Sequence, residues 1–439
     1  METFEIFDIL LQNLKVGDAS TTIAARRDGI TKALNKNFRS IDSSTGNRLM
    51  VGSYGRYTAI RGVSDLDMIF ILPSALRASY TDENGPRRLL KRVRDVLNDR
   101  YPSTDIRVDQ CVVRVQFVTG KFKFEVQPAF ENEDGSFAFP DTVGGWKITK
   151  PRAEITATKT RNHRTSNNMR HLARMVRAWK NANGVAMGGL LVDTLVHRFF
   201  SSTTEYDGRG TAWFDWMVRD FFEFLMNEPE QEYYLALGSN QRVMVKKPFQ
   251  AKARKAYNCC LEAIDEAGEA SANQKWRQVF GTSVPLATVE SARSFDNTEE
   301  FIEDRFPVDI TDSVTIDCEV TQNGWRPASL REMLRRKSLL RANKALKFEV
   351  VECSVSSPYD LKWKVLNRGP EAERRNMIRG QIVGSSHSNT RLEHSEFQGG
   401  HVVECYVIKD GVVVARGRID VPISNTSEAR AEATSGRER

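Results

Sequence analysis

One run constrains the fold more than any other. Gly52-Ser53 is followed by Asp65-Leu66-Asp67, which leads straight into Met68-Ile69-Phe70-Ile71-Leu72 and stops at Pro73. Alternation that passes into an apolar stretch ended by proline predicts a buried strand. Residues i and i+2 of a strand share a face, so Asp65 and Asp67 project together. Two carboxylates so placed offer hard oxygen ligands to a divalent cation. A third acid belongs on a neighbouring strand. Glu125 meets that need in Phe122-Lys123-Phe124-Glu125-Val126-Gln127-Pro128, with Phe124 and Val126 turned to the opposite, core side. Glycines at 52 and 55 let backbone N–H groups approach phosphate oxygens, and Ser53 adds a hydroxyl donor. Each piece alone has a plain alternative: a common turn, a solvated strand end, an exposed strand residue. The combination points to phosphoryl transfer at Asp65, Asp67 and Glu125 on two Mg²⁺ (or Mn²⁺) ions. Tyr54 and Tyr57 suit either base stacking or packing.

Around this strand the hydrophobic spacing predicts helices near the N-terminus (including Thr21 to Phe38), another over Arg87 to Tyr101, and strands over Ile106 to Val118 and Lys121 to Val126. The last two would form a hairpin turning at Thr119-Gly120. His171 to Phe200, Trp213 to Leu225 and Ala251 to Ala270 read as helical, and Ala328 to Ala345 as a short basic helix. After Lys347 the texture is that of strands, with a hairpin turn at Lys409-Asp410-Gly411-Val412. The expected class is therefore α+β. A palm with its N-terminal helices would occupy 1–165, a helical lobe 166–325, a small β-sandwich 340–425, and a disordered polar tail 426–439.

Charge decides little. A net +7 over 439 residues favours anionic partners only weakly. The acidic start of the chain lacks a basic, apolar signal region, and no apolar run is long enough to span a bilayer. The expectation is a cytoplasmic protein without membrane contact. The six cysteines form no CxxC pair and the histidines no HExxH, which argues against structural zinc.

The segment Val51 to Asp67 resembles the signature of the oligoadenylate synthetase and cGAS-like nucleotidyltransferases, whose bacterial relatives are the CD-NTases of anti-phage signalling. Glu125-Val126-Gln127-Pro128-Ala129-Phe130 is similar to their third-carboxylate motif, with Glu where Asp is common. The resemblance implies a mixed-sheet palm beside a helical lobe. It also implies that Arg177 and Lys180, in Leu172 to Lys180, hold the donor triphosphate together with Gly52 and Ser53. A solvated helix face is the plainer reading of those two cations. Further on, Pro358 to Gly369, Ile378-Arg379-Gly380 and Phe397 to His401 resemble the adenylyl/guanylyl cyclase and SMODS C-terminal sensor domain. There Trp363, Arg379 and His401 form a candidate sensor pocket, against the ordinary alternative of core, surface charge and satisfied polar group.

The function so implied is template-independent transfer of nucleotides, with release of pyrophosphate, to an oligonucleotide second messenger that controls a separate effector protein. NTPs or dNTPs are the substrates, ATP the first guess. Two other readings stand beside it. One is a polymerase of linear RNA or DNA oligomers, primed on a protein hydroxyl such as Tyr359 or Tyr406. The other is a nucleotide-binding sensor without catalysis. Arg161, Arg164, Arg170, Arg174 and Arg177 cluster enough to raise a nucleic-acid activator, or simply a solvated basic face.

Overall fold

The computed structural model describes residues 1–17, 19–119, 122–286, 298–321, 327–338, 340–368, 370–375, 377–386 and 389–424. The tail expected at 426–439 lies outside them. The chain divides into one unit of residues 1–183 and 187–288, and a second of 184–186 and 289–439.

The first unit opens with α1 (Thr3–Asn13) and α2 (Ala19–Arg39), then β1 (Arg48–Met50), the single turn α3 (Gly52–Gly55), β2 (Asp65–Ile71) and α4 (Gly85–Arg100). The strands β3 (Asp105–Asp109), β4 (Val112–Gln116), β5 (Lys123–Glu131), β6 (Phe137–Pro140) and β7 (Trp146–Thr149) complete a seven-stranded mixed sheet of order β1-β2-β5-β4-β3. β6 pairs with β5, and β7 with β6. Only β2 and β5 run parallel among these pairs. The pleat explains the site. Leu66, Met68 and Phe70 of β2, with Phe124 and Val126 of β5, pack beneath Ile30 and Leu34 of α2 and Leu89 and Val93 of α4. The opposite face of the same strands is left to Asp65, Asp67 and Glu125.

Two expectations need correcting here. The run from Ile106 to Val118 is not one strand but the hairpin of β3 and β4. It turns at Gln110, which holds a positive φ of 50° without being glycine, so no glycine or proline marks the turn. α1 also does not serve the palm. Its Phe7 stacks edge-on against Trp276, Phe214 and Phe280 of the helical lobe.

That lobe comprises α5 (Pro151–Arg164), α6 (Asn168–Asn183), α7 (Gly189–Ser202), α8 (Phe214–Asn227), the small hairpin β8 (Tyr233–Leu235) and β9 (Arg242–Met244), α9 (Gln250–Asp265) and α10 (Ala270–Phe280). The break between α6 and α7 falls at the glycines that the sequence marks.

The second unit holds α11 (Ile302–Arg305), β10 (Val314–Thr321), β11 (Ala328–Ser329), α12 (Leu330–Arg335), β12 (Ala345–Cys353), β13 (Asp360–Leu366), α13 (Pro370–Arg374), β14 (Arg379–Gly384), β15 (Thr390–His394), β16 (Gly399–Lys409) and β17 (Val412–Ile423). Its two four-stranded sheets, β11-β10-β12-β15 and β14-β13-β16-β17, are antiparallel within the unit and share one core. Ile316 and Phe348 come from the first sheet, Trp363, Val403 and Cys405 from the second. The expected sandwich is therefore present, but it starts earlier than residue 340. β10 supplies a central strand whose alternation, Val314, Ile316, Cys318 and Val320 inward, is a plain strand signal that the sequence reading passed over. The expected helix from 328 to 345 shrinks to the six residues of α12, capped by the Ser329 hydroxyl, which accepts from Glu332 N–H.

Candidate active site

Parallel pairing of β2 with β5 sets Asp65 opposite Lys123 and Asp67 opposite Glu125. Antiparallel pairing of β4 with β5 sets Arg114 opposite Glu125. Three acids and two bases thus share one patch of sheet. Lys123 Nζ lies 3.1 Å from Asp65 Oδ1 and 3.6 Å from Glu125 Oε1, while Arg114 Nη2 lies 3.8 Å from Glu125 Oε1 and also pairs with Asp109. The Lys123 ammonium is almost wholly buried. Burial, then Asp65 and Asp67, push the Glu125 carboxyl up to about 7, against the pull of Lys123 and Arg114. Burial is the larger cause, and the two neighbouring acids the smaller.

Gly52 faces this cluster. It has a φ of +60°, and a Cβ there would come within 1.8 Å of Asp67 Oδ2. Only glycine fits, for two independent reasons. The backbone beside it is tied to the catalytic strand: Val51 N–H donates to Asp67 O at 2.9 Å. Ser53 is half-buried, and its carbonyl accepts the N–H groups of Thr58 and Ala59, closing the loop on itself.

Three carboxylates on one face of paired strands, with Asp67 against the space beside Gly52, are hard oxygen donors that suit a divalent cation in kind. Among the described residues, however, no three His, Cys, Asp or Glu side chains already converge on one point. The Lys123 ammonium stands between Asp65 and Glu125. A bound cation would take over part of that compensating charge.

Arg177 departs from its expected place. It is buried, and its guanidinium grips Asp193 of α7 with two bonds of 2.7 and 2.9 Å, with a third to Gly189 O at 2.9 Å. Asp193 also accepts from Arg56 Nε at 2.7 Å and Thr58 Oγ1 at 3.1 Å, and Arg56 reaches Glu154 at 3.3 Å. Burial would raise Asp193, yet Arg177 and Arg56 outweigh it and hold its carboxyl below the usual value. Arg177 thus anchors the Gly52–Ser53 loop to α6 and α7 instead of presenting a free phosphate ligand. Lys180 is buried as well, and not on a solvated face. The rest of the arginine cluster is similarly committed. Arg161 bonds Phe200 O, Arg164 pairs with Asp207, Arg170 lies over the Tyr57 ring and Arg174 bonds Tyr57 O.

Reasoning from the sequence missed Lys123, Arg114 and Asp193. Lys123 had a signal: two residues before Glu125 on a strand, it must share that face. Asp193 had only its oddity, an acid inside Gly-Leu-Leu-Val-Asp-Thr-Leu-Val. In the second unit, Arg379 and His401 do come together, but Trp363 does not join them. It is fully buried between the sheets, with Nε1–H donating to Ser385 Oγ at 3.1 Å. Tyr406 is equally buried, bonded to Glu404, so its hydroxyl is no accessible primer.

Residues 1–162 match the Second Messenger Oligonucleotide or Dinucleotide Synthetase (SMODS) domain, and residues 296–424 the Adenylyl/Guanylyl and SMODS C-terminal sensor (AGS-C) domain. The chain thus carries a SMODS domain followed by an AGS-C domain. A probable cyclic nucleotide synthase of Bacillus cereus (strain VD146) is 23% identical over 273 residues, 53% of this chain and 81% of the relative. The cyclic AMP-AMP-AMP synthase of Acinetobacter sp. (strain ATCC 27244 / 9458) is 24% identical over 318 residues, covering 67% and 88%. Among solved structures, CdnC of E. coli MS115-1 with ATP aligns with a TM-score of 0.49 at 14% identity, over 65% of this chain and 99% of that one. Among the described residues of this SMODS-bearing chain, no helix is long and apolar enough to cross a membrane.

Proposed function

We propose that the chain joins nucleoside triphosphates without a template into an oligonucleotide second messenger. In each step an acceptor hydroxyl oxygen bonds to the α-phosphorus of a donor triphosphate. The bond from that phosphorus to the bridging oxygen breaks, pyrophosphate leaves, and the hydroxyl proton is released. The observation that carries this reading is the trio of Asp65, Asp67 and Glu125 on paired strands, with Gly52 held open against it. Asp65, Asp67 and Glu125 would hold two Mg²⁺ (or Mn²⁺) ions, which supply charge neutralisation and acidify the acceptor hydroxyl. Glu125 favours loss of the hydroxyl proton, Gly52 and Ser53 face the triphosphate, and the Asp193 network keeps that loop in place. Catalysis would be mostly positioning and electrostatics.

ATP as donor is supported by the Acinetobacter relative's name, a cyclic AMP-AMP-AMP synthase. The product would control a separate effector protein during phage infection, with both partners in the cytoplasm. Mass spectrometry of products from the purified protein with all NTPs and dNTPs, in Mg²⁺ or Mn²⁺, tests the reading. A small cyclic species is expected. A ladder of linear oligomers would move the assignment to untemplated polymerisation, and bound nucleotide without pyrophosphate would move it to a sensor. Asp67→Ala should keep its fold, because the strand bond from Val51 N–H is to backbone. It should lose more activity than the roughly 100-fold that an outer-shell partner costs. Undiminished pyrophosphate release would sink the assignment.

A further inference from the structure

A cavity of about 260 Å³ lies at one end of the C-terminal sandwich, between its two sheets. The strand pleat builds it. Val365 and Asn367 follow the inward series of β13, and His401 and Val403 belong to the inward series of β16. Phe348 faces them from β12. The lining is therefore mostly apolar, with Asn367 and His401 buried in it and Arg379, Glu393 and Glu396 completing the wall.

Those polar groups are already answered by one another. Arg379 donates to both oxygens of Glu393, at 2.6 and 3.1 Å, and Arg391 donates to the same carboxylate at 2.7 Å. Arg379 does so from a left-handed φ of +59°, a conformation that a non-glycine residue adopts only when its surroundings hold it there. His401 Nδ1 accepts from Arg368 N–H at 3.3 Å, which assigns its proton to Nε2, facing Phe397 O at 3.1 Å. The imidazole is thus neutral, and the Phe397 ring meets it edge-on at 5.1 Å.

This lining selects against a phosphate. Arg379 is engaged on both oxygens of Glu393, which Arg391 shares, and Glu396 stands beside them, so no guanidinium of the lining faces the cavity without a carboxylate near it. The space instead suits a flat, uncharged body. An apolar cavity of about 150 Å³ stays dry and admits benzene, so this larger one has room for a second ring. The Asn367 carboxamide, whose Nδ2 donates to Met377 O at 2.9 Å, places a polar edge beside that body. We propose that the cavity is a binding site for an uncharged two-ring heteroaromatic ligand the size of a purine base, with any phosphate left outside the mouth. The site lies within the second unit alone and does not depend on the reading of the carboxylates.

The test uses the full chain and ligand-observed NMR titration with adenine, hypoxanthine, indole and AMP. Adenine or hypoxanthine should bind saturably, AMP no more tightly than adenine, and Asp67→Ala should leave that binding unchanged. Val403→Phe fills the floor and should weaken it at least tenfold. Val421→Phe does the same from β17 and serves if the first variant fails to fold. No saturable binding of either base, equal binding by a folded Phe variant, tighter binding of AMP, or binding of indole alone would each overturn the proposal.

Discussion

Two glutamates, one half-buried and one buried, each on a strand and each beside two cations, shift in opposite directions. Glu125 stands with Lys123 and Arg114 and is pushed up to about 7. Glu404 of β16 stands with Arg416 and Lys364 and is brought to about 2, even though its burial works the other way. The number of cations does not separate them. Distance and company do. Arg416 donates to Glu404 at 2.7 Å and the Tyr406 hydroxyl at 2.6 Å, whereas the cations near Glu125 stay 3.6 and 3.8 Å away. Glu125 also faces two further acids; Glu404 shares its cations with acids too, Lys364 with Glu299 and Arg416 with Glu303, but Arg416 and Tyr406 bond it directly. A charge network closed on itself is part of the fold. One held at longer distances has room to rearrange around a bound cation.

The comparison can be broken by experiment. Arg416→Met leaves Glu404 buried without its main partner and should cost about 3–5 kcal/mol in chemical denaturation. Arg114→Met, at the looser pair, should cost far less, and equal losses would erase the distinction. Glu404 also fixes a pH dependence. Its folded pKa is depressed below the ordinary 4.5, so its stabilisation is complete above that value and is lost as pH falls towards 2. Relative to Glu404→Gln, the wild type should lose roughly 3 kcal/mol over that window, and parallel acid-unfolding curves would contradict it. Mn²⁺ sharpens the other side. At a hundredfold excess over its Kd it should stabilise the wild type by about 2.7 kcal/mol, and Glu125→Gln much less; a metal-independent melting temperature in both would argue against the carboxylates as ligands. The smallest effect is expected at Lys123. Replacing the ammonium with methionine removes a competing cation, so Lys123→Met should bind Mn²⁺ about tenfold more tightly in a calorimetric titration, a difference of about 1.4 kcal/mol. Weaker binding would mean that Lys123 orients the acids instead of standing in for a cation.

The same contrast explains what could be read from the sequence. The faces of β2 and β5 follow from a period of two, so Asp65, Asp67 and Glu125 were legible, and Lys123 was legible in principle. Arg114 was not, because only the pairing of β4 with β5 brings it to Glu125. Arg177 on its helix carried no local mark of burial. Its partner Asp193 lies 16 residues away on another helix, and nothing in either segment announces the match. The β3–β4 turn hid for a related reason, since Gln110 adopts its positive φ without the glycine that usually signals one. Local periodicity was read well. Pairings between distant charges were not, and these set which cations are free to meet a substrate.

The hairpin of β16 and β17 has a consequence for how the second unit assembles. Its partners are neighbours in sequence, paired from Lys409 and Val412 outward to Gly399 and Ile423, across a turn at Asp410 and Gly411 whose φ values of 51° and 77° suit a tight hairpin. Loops that short close early, and hairpins form in roughly 1–10 μs. β13 must then add to the preformed edge of β16, and β10 must arrive from far up the chain. The order of events would run backwards along the polypeptide. The last hairpin of this unit would nucleate it, and the strands made earlier would wait until β17 had been made.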